Sequence, residues 1–127
     1  MDKKSNFYEI KNPNKIWAIG SIHSKIDAFN SLKKHLLKNF KNGDYLVFLG
    51  NIIGLNKSSK ETLDSVIDLR SKLLAMHFLN PEHIIFLRGA QEEMFLKILQ
   101  LQTAPNPKDV ILWMFDHGVD ATVESYG

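Results

Sequence analysis

Three short apolar runs set the terms for folding this chain: Ile16-Trp17-Ala18-Ile19, Tyr45-Leu46-Val47-Phe48-Leu49 and Ile84-Ile85-Phe86-Leu87. Each is rich in strand-forming residues and stops at a glycine-bearing loop, the pattern of short buried strands. Between the first two, Phe29, Leu32, Leu36, Leu37 and Phe40 recur at three- and four-residue steps from Ile26, and Asn42-Gly43 supplies the stop. Between the second and third, Leu63, Val66, Ile67, Leu73 and Leu74 do the same, with Asn80-Pro81 ending the run. Both stretches read as helices. Strand, helix, strand, helix, strand in this order implies right-handed crossovers and an α/β fold built on a parallel sheet covered by helices.

Beyond the third strand, Met94, Phe95, Ile98 and Leu99 continue a helical pattern after Gly89. Pro105-Asn106-Pro107 breaks the chain before a further short helix holding Val110, Leu112, Trp113 and Phe115. No repeat, linker or low-complexity tract divides the chain. Its 127 residues read as one domain behind a polar leader at positions 1–14, long enough to bury roughly two thirds of the unfolded surface.

Composition excludes several classes. The formal charge of +2 is too small for a surface that tracks nucleic-acid phosphates. Lys33, Lys34, Lys38 and Lys41 interleave with the apolar positions of the first helix, as the wet face of an amphipathic helix does. No run is long enough to cross a bilayer. The opening residues lack the apolar stretch and small-residue site of a secretory signal, so a cytoplasmic location is expected. Cysteine is absent, which removes disulfides, thiolate metal sites and cysteine nucleophiles. Any metal would need His, Asp, Glu or Asn.

Ligands of open parallel sheets gather where the carboxyl ends of strands meet the following loops. Three segments therefore matter most: 20–24, 50–56 and 88–93. Their residues carry a resemblance. Gly20-Ser21-Ile22-His23-Ser24 resembles the Gly-Asp-Ile-His-Gly block of the calcineurin-like metallophosphoesterases, in the branch of the serine/threonine phosphatases and diadenosine tetraphosphatases. Phe48-Leu49-Gly50-Asn51-Ile52-Ile53-Gly54-Leu55-Asn56 is similar to that branch's Phe-Leu-Gly-Asp-Tyr-Ile-Asp-Arg-Gly block. Leu87-Arg88-Gly89-Ala90-Gln91-Glu92 is similar to its Leu-Arg-Gly-Asn-His-Glu block. Segment 58–63 and the end of the chain from Trp113 to Gly127 resemble the same branch. The likeness runs from Ile16 onward with the blocks in order and in spacing.

The resemblance implies the first, parallel βαβαβ half of a two-sheet sandwich. It also implies a site where two divalent metals such as manganese or iron, about 3.5–4 Å apart, activate a shared water against phosphorus. Here the ligand types are mostly replaced. Ser21 stands for the first aspartate, Asn51 for the bridging aspartate, and Ala90 and Gln91 for the Asn-His pair. Gly54 and Leu55 occupy the places of an aspartate and a phosphate-gripping arginine, and leucine has no guanidinium fork. Only His23 is unchanged. A neutral amide at position 51 cannot balance two cations held so close. No metal cofactor and no catalytic residue is therefore expected.

The remaining residues each carry two readings. His23 is a relic or a backbone partner, or else a metal ligand, which isolated histidines make poorly. Glu92 and Glu93 suit the start of a helix, where the dipole favours carboxylates. Arg88 grips phosphate or pairs with a nearby carboxylate. His35, His77, His83 and His117 lack metal-ligand spacing. In the family a second half supplies two more histidines, the second sheet and a wall of the cleft. An uncovered apolar face attracts partners, so a homo-oligomer or a protein partner is expected, with Trp113, Met114, Phe115 and Tyr126 as contact candidates or plain core. The functional expectation is an inactive, phosphatase-like binding or assembly module with self-association. The alternative is a residual metal-dependent phosphoesterase acting on phosphoprotein or dinucleoside polyphosphate.

Overall fold

The computed structural model describes residues 7–98 and 100–127. Residues 1–6 of the polar leader and Leu99 lie outside the described residues. The described chain is mixed α/β, with strands β1 (Ile16–Ile19), β2 (Tyr45–Phe48) and β3 (Ile84–Phe86) in a parallel sheet of order β1-β2-β3. Helices α1 (Ile26–Asn39) and α2 (Ser59–His77) form the crossovers. Helices α3 (Ala90–Ile98), α4 (Pro107–Asp116) and α5 (Val119–Ser125) follow the last strand.

Register decides which side chains meet the helices. Trp17 pairs with Leu46 and Leu46 with Ile84, while Ile19 pairs with Phe48 and Phe48 with Phe86. Because side chains alternate across a strand, these residues share one face. That face, with Phe29 and Leu36 of α1 and Val66, Leu69 and Leu73 of α2, is the core. Leu46, Leu69 and Leu73 are wholly excluded from solvent, each burial contributing about 1.5–3 kcal/mol.

Two crossovers of the same hand stepping in the same direction lay both helices on the same side of the sheet. The contact between α1 and α2 is direct: Lys33 bridges Asp68 at 2.7 Å and donates to Ser65 Oγ at 3.1 Å. Helices thus cover one face rather than the whole sheet. The opposite face carries Ile16, Ala18, Val47, Leu49, Ile85 and Leu87. Ile16, Leu49 and Leu87 are 49%, 51% and 47% exposed, so an apolar surface is open to solvent. Its amino end is covered, where Tyr45 stacks on His83 and Tyr8 donates to the Glu82 carbonyl.

The start of the chain is pinned by a buried carboxylate. Asp44, 1% exposed, accepts from Asn14 Nδ2 at 3.2 Å, Trp17 Nε1 at 2.9 Å and the Lys41 backbone N–H at 3.0 Å. These bonds fix the α1–β2 turn against β1. Two features differ from the sequence reading. Helix α2 begins at Ser59, a turn before the first apolar position, because Ser59 and Thr62 are buried against the end of the chain. Helix α5 carries no periodic sequence signal, since its seven residues are too few, and Gly118 at φ 96° separates it from α4. No helix among the described residues is long and apolar enough to cross a membrane.

Candidate functional site

The three loops at the carboxyl ends of the strands converge on Asn51. Gly50 and Asn51 are both left-handed, with φ 105° and 52°, a conformation that glycine and asparagine tolerate best. This turn brings the second loop against the third with no room between them. A Cβ on Gly89 would lie 2.4 Å from Asn51 N and 2.5 Å from Asn51 Oδ1. Gly89 of the third block is therefore required by close approach to Asn51.

Every polar group of Asn51 is engaged. Its carbonyl accepts from the backbone N–H groups of Ile22 at 3.0 Å and His23 at 2.8 Å. Its backbone N–H donates to Glu92 Oε1 at 2.6 Å. Its Oδ1 accepts from the Gln91 backbone N–H at 3.0 Å, and its Nδ2 donates to Ser21 Oγ at 3.4 Å. Because the Gln91 partner is a backbone donor, the amide orientation is determined: oxygen toward the third loop, hydrogens toward the first.

Glu92 has a helix-capping role as well. Its Oε1 also accepts from the backbone N–H of Gly89, three residues earlier, which is the reciprocal half of a capping box at the start of α3. Its carboxylate thereby serves two orphan donors where the helix dipole favours negative charge. Glu92 Oε2 has no hydrogen-bond partner among the described residues. Arg88 turns away to bridge Glu93 at 3.2 Å, leaving its guanidinium half exposed. Ala90, the first residue of α3, offers only a methyl.

Gln91 is buried at 6% exposure and ties the site to the end of the chain. Its Nε2 donates to the His117 carbonyl at 2.7 Å, at the turn between α4 and α5. Gly54 lies directly against it, where a Cβ would meet Gln91 Oε1 at 2.1 Å. Leu55 is 53% exposed and donates its backbone N–H to Gly118. The first loop is held through His23, whose carbonyl accepts from Asn56 Nδ2 at 2.6 Å. His23 and Ser24 are both left-handed, φ 49° and 60°. Ser24 offsets that strain with a hydroxyl bond to Ser59, which in turn meets Thr122 Oγ1 at 3.1 Å. His23 Nδ1 is buried with no hydrogen-bond partner among the described residues.

Ser21, Asn51, Gln91 and Glu92 therefore meet in one hydrogen-bonded cluster, with His23, Gly54 and Leu55 around it, while Arg88 and Ala90 stand at its margin. Ser24, Ser59, Thr122 and His117 also belong to the cluster, and no local sequence signal marks them, because their contacts span between 26 and 63 positions of the chain. Among the described residues no group of three or more histidine or acidic side chains is arranged to hold a metal ion. His35, His77, His83 and His117 are dispersed in local contacts, His117 donating from Nδ1 to the Trp113 carbonyl while stacked on the Trp113 ring.

Fold and site together define an α/β domain whose strand-end loops are cross-linked by a neutral amide. No protein-family model matches the chain, and no curated protein or solved structure matches it either.

Proposed function

We propose that this chain is a degenerate relative of the calcineurin-like metallophosphoesterases that acts as a binding and assembly module without phosphoester hydrolysis. The observation carrying this reading is Asn51. Its place in the sequence corresponds by resemblance to the metal-bridging aspartate, and its amide is committed to Gln91 and Ser21. A bridging ligand must place anionic oxygen between two cations, whereas Asn51 directs amide hydrogens into the first loop. Ser21, Ala90 and Gln91 add no charge. The donor set thus does not fit a bridged metal pair. Ser24 at φ 60°, where the family block has glycine, further supports the resemblance, since that backbone favours glycine.

Assembly rests on the open apolar face of the sheet, and the partner proposed is a second copy of this chain. Apolar faces of two sheets pack well on one another, at about 10 Å separation. Of the contact candidates, Trp113 and Tyr126 are 56% and 51% exposed, whereas Met114 is core at 1%.

One observation favours a second reading, a residual single-metal phosphoesterase: the free Nδ1 of His23. Calorimetric titration with manganese, with and without phosphate, separates the two. Heat of dilution alone is the expected result. Saturable heat that disappears in His23→Ala overturns the proposal and moves the assignment to the second reading.

A further inference from the structure

β3 is an edge strand with a cavity beside it. Leu87 N–H donates to the Phe48 carbonyl, so residues 85 and 87 direct their backbone groups toward β2. The alternation of a parallel ladder then points the N–H and C=O of Phe86 at the open edge. An unpaired strand edge is a template for another extended chain.

The cavity measures about 360 Å³ and is lined by Ile53, Leu63, Phe86, Phe95, Leu96 and Tyr126. Phe86, Leu96 and Tyr126 are 44%, 39% and 51% exposed around it. The groups offered at this edge are a backbone N–H and C=O, which an extended peptide matches better than a second folded copy.

Charge around the cavity has a sign. Glu92 lines it, and Glu92 Oε2 lacks a donor. Burial raises the Tyr126 hydroxyl above its usual range, and the carboxylates of Asp64 and then Glu61 raise it further. Arg88 also lines the cavity, with its guanidinium bridged to the Glu93 carboxylate at 3.2 Å.

We infer that the edge of β3 accepts an extended peptide as a fourth strand, with one large apolar side chain seated in the cavity and basic residues beside it. Backbone pairing supplies the affinity and the cavity supplies the choice of side chain. It lies at the strand edge, whereas the proposed assembly uses the face of the sheet opposite the helices, and Leu87 borders both.

The probe is a fluorescein-labelled peptide of about eight residues, alternating lysine and valine around a central phenylalanine, read by polarisation. Saturable binding with a Kd on the order of 10–100 µM is expected. Methylating alternate backbone nitrogens of the peptide leaves its side chains intact, and is expected to weaken binding at least tenfold. Leu96→Trp, which fills the cavity from an exposed position, is expected to do the same while urea unfolding stays unchanged. Absence of saturable binding at millimolar protein overturns the inference. Equal binding of the methylated peptide overturns it too, since the site then takes side chains without adding a strand, and so does undiminished binding to Leu96→Trp.

Discussion

Asn51 shows how much one side chain can organise when its neighbours leave no space. The crossing of the second and third loops depends on Gly89, and Gly89→Ala must force the loops apart or deform Asn51. A loss of about 2–3 kcal/mol in urea unfolding is expected, within the cost of overpacking a close contact. Ser24 provides a finer test, because it combines strain with a compensating bond. Ser24→Ala keeps the left-handed backbone and loses the hydroxyl contact to Ser59, which costs about 1 kcal/mol. Ser24→Gly loses the same contact and relieves the backbone, by about 1 kcal/mol as well. The glycine variant should therefore unfold close to the parent and the alanine variant below it. Asp44 is more severe. Asp44→Ala strands three donors in a buried place and is expected to cost about 3 kcal/mol, whereas Asp44→Asn keeps an oxygen for Trp17 and Lys41 and costs less.

At the scale of elements, α2 ends on an aromatic residue that a helix terminus would not ordinarily choose. Phe78 caps the helix at φ 51°, donating to the Leu74 carbonyl, and its ring is 94% exposed. Phe78→Gly keeps the cap geometry without the steric cost of a Cβ, so thermal unfolding should rise, by about 0.5–1 kcal/mol in stability. The junction of α1 with α2 has an electrostatic signature. Hydrogen bonds from Lys33 and then Lys72 hold the Asp68 carboxyl below its ordinary value. A folded-state value depressed below the unfolded one contributes stability above the unfolded value, and that contribution is lost as pH falls through the folded one. Stability measured on the acid side of the ordinary carboxylate range should fall less steeply in Asp68→Asn than in the parent. High salt should narrow the difference, because Asp68 and Lys72 are solvent-exposed.

For the whole molecule, the decisive feature is a sheet with helices on one side. Parallel sheets are ordinarily covered on both faces. Here Ile16, Leu49 and Leu87 face solvent, a surface that favours association. Sedimentation of the parent across a concentration series is expected to show reversible self-association. Leu49→Lys with Leu87→Lys is expected to abolish it without lowering the unfolding midpoint, because neither side chain is in the core. A parent that stays monomeric at high concentration would remove the assembly half of the proposed function and leave the metal titration untouched.

The order of strands and helices was legible from residues alone, since apolar runs of four or five and helical spacing are local patterns that burial enforces directly. So were the loops that carry the site, because parallel strands deliver their ends to one edge of the sheet. That Ser21, Asn51, Ala90 and Gln91 carry no charge was legible too, as chemistry is written in residue types. What the amide at Asn51 would bond to was not, because Gln91, Glu92 and Ser21 reach it only when three loops are brought together by the sheet. Helix α5 and the Ser24-Ser59-Thr122 contacts depend on packing between distant segments. The open face was equally invisible, because Leu49 and Leu87 read as buried strand residues until the direction of both crossovers laid α1 and α2 on the same side.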